Sequence, residues 1–239
     1  MKVEIRHTIN IGDFLNAFPV LSGLSKYTNE KIDLLVRGEM KRFNGFKEFI
    51  KYQDCINSVT FDDEYIIMNY EGISLSSITR EDKENNNRPT ETCRYENWVN
   101  DHYRMLFEVD DDFVLQVEDL DLPVDGDKRY VGDRWAGPLI DGRRASGSLS
   151  HLDNVHFLDY NRPLMENAYI IKHCNKPFIS AFTGTAVMAD LMNVDQLVLW
   201  TDDLRMWDNK PIEASFQKHF YGNRKSKLLY LGDFEENGI

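Results

Sequence analysis

The 239 residues, 42% apolar and 28% charged, have the composition of a soluble globular protein and suffice for one large domain or two small ones. No run approaches the roughly 20 apolar residues that cross a bilayer, and the N-terminus lacks the apolar core of a secretory signal, so a cytoplasmic location is expected. A net charge of −12 repels a nucleic-acid backbone on average and confines any polyanion contact to a local patch, while Cys55, Cys93 and Cys174 show neither a disulfide framework nor metal-ligand spacing.

Val3 to Ile5 reads as a short strand. A glycine turn at Gly12 then places Asp13 at the head of a helix running to Lys26, with Phe14, Ala17, Phe18, Leu21 and Leu24 at helical spacing. A carboxylate at the carboxyl end of a strand lies where open α/β sheets bind ligands; it is equally the residue type of an ordinary N-cap. Ile32 to Val36, Phe43 to Tyr52 and Tyr65 to Met68 continue as strand, helix and strand, an alternation that predicts a parallel sheet flanked by helices.

Residues 80 to 94 are polar and read as a loop, either a lid or a plain surface excursion, and a helix is expected around Trp98 to Leu106. The acidic segment Asp110 to Asp127, broken by Pro123, is the expected interdomain connection and divides the chain into residues 1–118 and 128–239. Alternation resumes with strands at Tyr130-Val131 and Val155 to Leu158, a helix at Leu164 to Cys174, a strand at Phe178 to Ala181, a helix at Thr185 to Asn193 and a strand at Gln196 to Trp200. Two Rossmann-like halves of this kind are expected to bind a ligand in the cleft between them.

Thr183-Gly184-Thr185 joins the Phe178 to Ala181 strand to the next helix. Glycine lets a ligand approach closely, and the hydroxyls with the helix-start N–H groups can hold phosphate oxygens. The lysine and spacing of a Walker loop are absent, and a structural turn with a threonine cap reads the same residues as well. Near the C-terminus Phe216, Lys218, His219, Phe220, Tyr221, Arg224, Lys225 and Lys227 interleave basic and aromatic side chains, as a nucleic-acid or phosphate surface does and as an amphipathic closing helix also does. The histidines have no zinc spacing, and the carboxylate runs at 62–64 and 110–112 are the usual content of solvated loops, so no metal site and no cofactor is expected.

The turn Gly12-Asp13, with Pro19 six residues after the aspartate, resembles the first turn of the ADP-heptose:lipopolysaccharide heptosyltransferase family of GT-B glycosyltransferases, and Pro163 to Trp200 resembles that family's C-terminal core. The resemblance covers about half the chain, at both ends of the core. It implies an α/β, GT-B-like fold of two Rossmann-like halves with parallel sheets, an N-terminal acceptor domain and a C-terminal nucleotide-sugar domain. It further implies Asp13 as the base of a metal-independent, inverting glycosyl transfer. Gly12, Thr183, Gly184, Thr185 and Arg134 then bind the donor, with Arg143 and Arg144 in reserve; the Asp202-Asp203 pair, by its place after the Gln196 to Trp200 strand, is a further candidate donor contact.

Departures from the family turn are plain: Phe182 stands at its aspartate, Thr183 at its serine and Thr185 at its proline, with Met188 near its histidine, and the chain is shortened. The donor and the hydroxyl acceptor therefore stay open. A hydroxylated DNA base met by Arg224, Lys225 and Lys227, in a phage setting, is the narrower version. The alternative is a non-catalytic nucleotide or nucleotide-sugar binder on the same fold.

Overall fold

The computed structural model describes residues 1–5, 10–62, 72–75, 109–132, 154–181, 183–200, 206–207, 210–211 and 225–233. The chain divides into two compact units, Met1–Gln116 and Val117–Ile239. Each is a parallel sheet with helices.

In the first unit, β1 (Lys2–Ile5), β2 (Ile32–Arg37), β3 (Ile56–Asp62) and β4 (Ile73–Ser74) form a four-stranded sheet in the order β3-β2-β1-β4, every pairing parallel. Val3, Glu4 and Ile5 are all buried because β1 has neighbours on both sides and cover on both faces, whereas β3, at the edge, alternates. The single helix expected from Asp13 to Lys26 is two: α1 (Ile11–Leu15) and α2 (Phe18–Thr28). Pro19 causes the break, since it has no N–H to return to the carbonyl one turn earlier, and it sits at the start of α2 where that loss costs least. Asn29, in the left-handed conformation with φ 55°, stops α2. A short 3-10 turn at Gly38–Arg42 precedes α3 (Phe46–Lys51).

In the second unit, β5 (Arg129–Gly132), β6 (Val155–Phe157), β7 (Phe178–Ala181), β8 (Gln196–Trp200) and β11 (Ser226–Tyr230) form a parallel sheet in the order β11-β8-β7-β5-β6, with α4 (Leu164–His173) and α5 (Gly184–Leu191). A separate antiparallel pair joins β9 (Met206–Trp207) to β10 (Lys210–Pro211). β7 is buried throughout, and so is every residue of α5.

The strand expected at Tyr65 to Met68 and the helix around Trp98 lie outside the described residues. β3 is the described third strand; of the Phe216 to Lys227 stretch only residues 225–227 are described, and Ser226 begins a strand, β11. The acidic connection is extended and ordered in its contacts rather than a bare linker. Asp110 accepts from Ser22 at 2.5 Å and pairs with Lys26 at 2.7 Å, while Phe113 stacks on Phe18 at 5.5 Å. Gln53 then acts as a surrogate strand: its amide oxygen accepts from the Gln116 N–H at 2.8 Å and its Nε2 donates to the Gln116 carbonyl at 3.0 Å. Beyond the division, the Tyr130 hydroxyl accepts from the Asp125 N–H at 3.0 Å.

Candidate active site

Two sheet edges carry the candidate residues, one in each unit. At the carboxyl end of β1, Gly12 and Asp13 are half-buried while Ile11, Phe14, Leu15, Asn16 and Ala17 are buried. Gly12 is a helical residue of α1 and makes no turn of its own; Asn10 holds the N-cap position without a side-chain cap. Asp13 lies inside the first turn, so the reading of it as a plain N-cap is replaced. Its Oδ2 accepts from Asn10 Nδ2 at 3.4 Å, a long hydrogen bond. Phe14 anchors the turn, lying edge-on to Phe46 at 5.0 Å and to Phe18 at 6.0 Å. A carboxylate in the first turn is also favoured by the helix dipole.

In the second unit, Thr183 holds the N-cap position of α5 with extended backbone and no side-chain hydrogen bond to a helix N–H. The hydroxyls of Thr183 and Thr185 are 2.7 Å apart, and Thr185 donates to the Gly132 carbonyl at 3.1 Å. With its proton committed there, Thr185 accepts from Thr183. Both hydroxyls therefore tie the α5 turn to the end of β5, and what the turn offers an anion is the backbone N–H groups at the helix start.

The loop after β6 reaches the same sheet edge, because parallel strands put all their carboxyl ends on one side. It carries a cation that sequence reading missed, Arg162, which is 43% exposed and lies 3.7 Å from Glu166 on the next helical turn. Partial burial, with the positive charges of Lys128 and Arg162, lowers the pKa of His156 on β6 and leaves that imidazole neutral at pH 7. Trp200 and Tyr230 end β8 and β11 on this edge with ring centres 4.9 Å apart. Only their topological position could have flagged any of these groups.

The expected residues are not all brought together. Arg134, Arg143, Arg144, Arg224, Phe182 and the Asp202-Asp203 pair lie outside the described residues. Lys225 and Lys227 are described, and the register of Ser226 with Gln196 puts them at the amino end of the sheet, opposite the α5 turn. Neither Cys55 nor Cys174 is a nucleophile, since burial pushes their thiols up to about 12 and about 11. Among the described residues no group of three metal-ligating side chains occurs, and no helix is long and apolar enough to cross a membrane.

Such an arrangement, two parallel-sheet units with a carboxylate after the first strand and an uncapped helix start in the second, defines a GT-B-like α/β fold. Solved structures that share this fold are heptosyltransferases and a related glycosyl transferase. A glycosyl transferase family 9 structure from Veillonella parvula matches with a TM-score of 0.61 at 9% identity, over 99% of this chain and 88% of that one. E. coli heptosyltransferase WaaC with ADP matches with a TM-score of 0.57 at 12% identity, over 100% of both chains. The E. coli ADP-heptose lps heptosyltransferase II matches with a TM-score of 0.58 at 11% identity, over 96% of this chain and 90% of that one. No family model and no curated protein matches the sequence.

Proposed function

We propose that this protein transfers a sugar from a nucleotide-sugar donor to a hydroxyl acceptor. The observation that carries the reading is the half-buried Asp13, held in the first turn after β1 on a fold whose solved neighbours are glycosyltransferases. A sugar hydroxyl is a poor nucleophile, and a carboxylate beside it takes the proton as the new glycosidic bond forms. Attack from the face opposite the departing diphosphate inverts the anomeric carbon. The backbone N–H groups at the start of α5, with Arg162 and Arg134, are assigned to the negative charge that develops on the leaving group, in place of a divalent ion. Gly12 and Gly184 are the positions without side-chain bulk. The N-terminal unit takes the acceptor and the C-terminal unit the donor.

The donor is read as an adenine nucleotide-sugar, because WaaC has been solved with ADP and with ADP-2-deoxy-2-fluoro heptose. A hydroxylated DNA base as acceptor finds no support in Lys225 and Lys227, which lie at the far edge of their sheet from the α5 turn. The second reading, a non-catalytic nucleotide binder, is favoured by one observation: the Thr183 and Thr185 hydroxyls are turned to internal partners rather than left for a ligand.

A thermal-shift series over nucleoside diphosphates and nucleotide-sugars tests donor binding. A ligand at a hundredfold excess over its Kd adds about 2.7 kcal/mol, which raises Tm by roughly 5–10 °C for a chain of this size. ADP or an ADP-sugar is expected to give the largest shift, reduced in Arg162→Ala. No shift with any nucleotide would overturn both readings.

A further inference from the structure

Asn44 and Gly45 lie between the 3-10 turn and α3, as the two central residues of a tight turn that the Phe46 N–H closes on the Phe43 carbonyl at 3.0 Å. Gly45 has φ 67° and ψ 18°, whereas Asn44 is not among the residues of positive φ, so the turn is type II and needs glycine at its third position. The peptide between these two residues takes no part in the bond that closes the turn. Among the described residues no acceptor takes the Gly45 N–H. Asn44 is exposed, so its side chain swings without unpacking the core, and half-buried Gly45 has no Cβ to block approach to its nitrogen. The Asn44-Gly45 peptide can also rotate with the Phe43–Phe46 bond intact, since turn types I and II differ chiefly in that peptide and glycine follows to either sign of φ.

We propose that Asn44 is a modification site, at which the folded protein deamidates without an enzyme and with water as the only co-reactant. The Gly45 nitrogen attacks the Asn44 side-chain carbonyl carbon, the new C–N bond closes a five-membered succinimide, and the side-chain nitrogen leaves as ammonia, taking the Gly45 proton. Water then opens the ring at either carbonyl. One opening leaves aspartate at position 44; the other leaves isoaspartate, whose main chain runs through the side-chain carbon. The aspartate adds a negative charge one residue before the N-cap of α3, where the helix dipole favours it. The isoaspartate lengthens the main chain inside the turn and spoils its closing bond. Phe46, the first residue of α3, packs at 5.0 Å on Phe14, the neighbour of Asp13, so the isoaspartyl form loosens the turn that carries Asp13. The modification does not depend on the transferase reading.

The test is peptide mapping by mass spectrometry of the full chain aged in mildly alkaline buffer, native and in denaturant, with isoaspartate read by isoaspartyl methyltransferase labelling. Asn57-Ser58 is the internal reference: a small residue follows this asparagine too, but in the fold Asn57 donates to Asp33 at 2.7 Å and Ser58 pairs with Asp33 in the β2–β3 ladder. Asn237-Gly238, the other Asn-Gly pair of the chain, maps to a separate peptide. The native protein is expected to modify Asn44 within about tenfold of its rate in denaturant, the cost of at most one exposed hydrogen bond, while Asn57 is slowed by more than that. Asn44→Gln should remove the product, because glutamine does not close the same ring, and the isoaspartyl fraction should melt below the unmodified one. An Asn44 that stays intact in the native chain while reacting in denaturant, or that is slowed as much as Asn57, would overturn the inference. An isoaspartyl fraction of unchanged Tm would overturn its link to the Asp13 turn.

Discussion

Gly132 ends β5 where no side chain fits: a Cβ would lie 2.6 Å from Thr185 Oγ1 and 2.8 Å from Phe178 Cζ. The close approach is what lets Thr185 reach the Gly132 carbonyl, so the α5 turn is set by this contact. Gly132→Ala is therefore expected to cost about 1–3 kcal/mol, read as a fall in Tm. At this scale the sequence was legible for where Asp13 and Gly184 stand, in the first turn of α1 and at the start of α5, because strand-helix alternation locates those junctions. Gly132 and Arg162 were not legible. Their significance lies in what surrounds them: a missing Cβ and a shared sheet edge, neither of which has a spacing rule. The hydroxyls of Thr183 and Thr185 were read as ligand-facing because residue type shows capacity to hydrogen-bond and leaves the partner undetermined.

The strand at Phe178–Ala181 is read with its observed bounds, since burial on both faces leaves an uninterrupted apolar run between turn residues. β3 (Ile56–Asp62) was missed because its edge position admits Asn57, Ser58, Thr60 and Asp62 among its apolar residues. The division of one expected helix into α1 and α2 followed from Pro19, whose missing N–H local periodicity does not register. The acidic connection was read by composition as a break, yet Gln53 and Asp110 fasten its first part to α2 and α3. Gln53→Ala removes both bonds to the Gln116 backbone and is expected to cost about 2 kcal/mol. Hydrogen exchange should then accelerate in peptides covering residues 109–116 and stay unchanged in β5 to β8; uniform acceleration would mean that the fastening is not local.

For the whole molecule, strand-helix alternation carried the α/β class and the parallel sheets, because that alternation follows from burying a sheet on both faces. The match to solved glycosyltransferases at 9% and 12% identity shows how little of such a fold is stored in particular residues: the pattern of burial persists while side chains change. Chemistry has no such redundancy, and the proposed transfer comes down to Asp13. With the nucleotide-sugar that gives the largest thermal shift, transfer to a glycoside acceptor should be measured in wild type and Asp13→Asn. The variant is expected to lose transfer by about 10²–10⁴-fold, the usual worth of a positioned base, while its donor-induced shift is unchanged. Transfer at the wild-type rate in Asp13→Asn would contradict it.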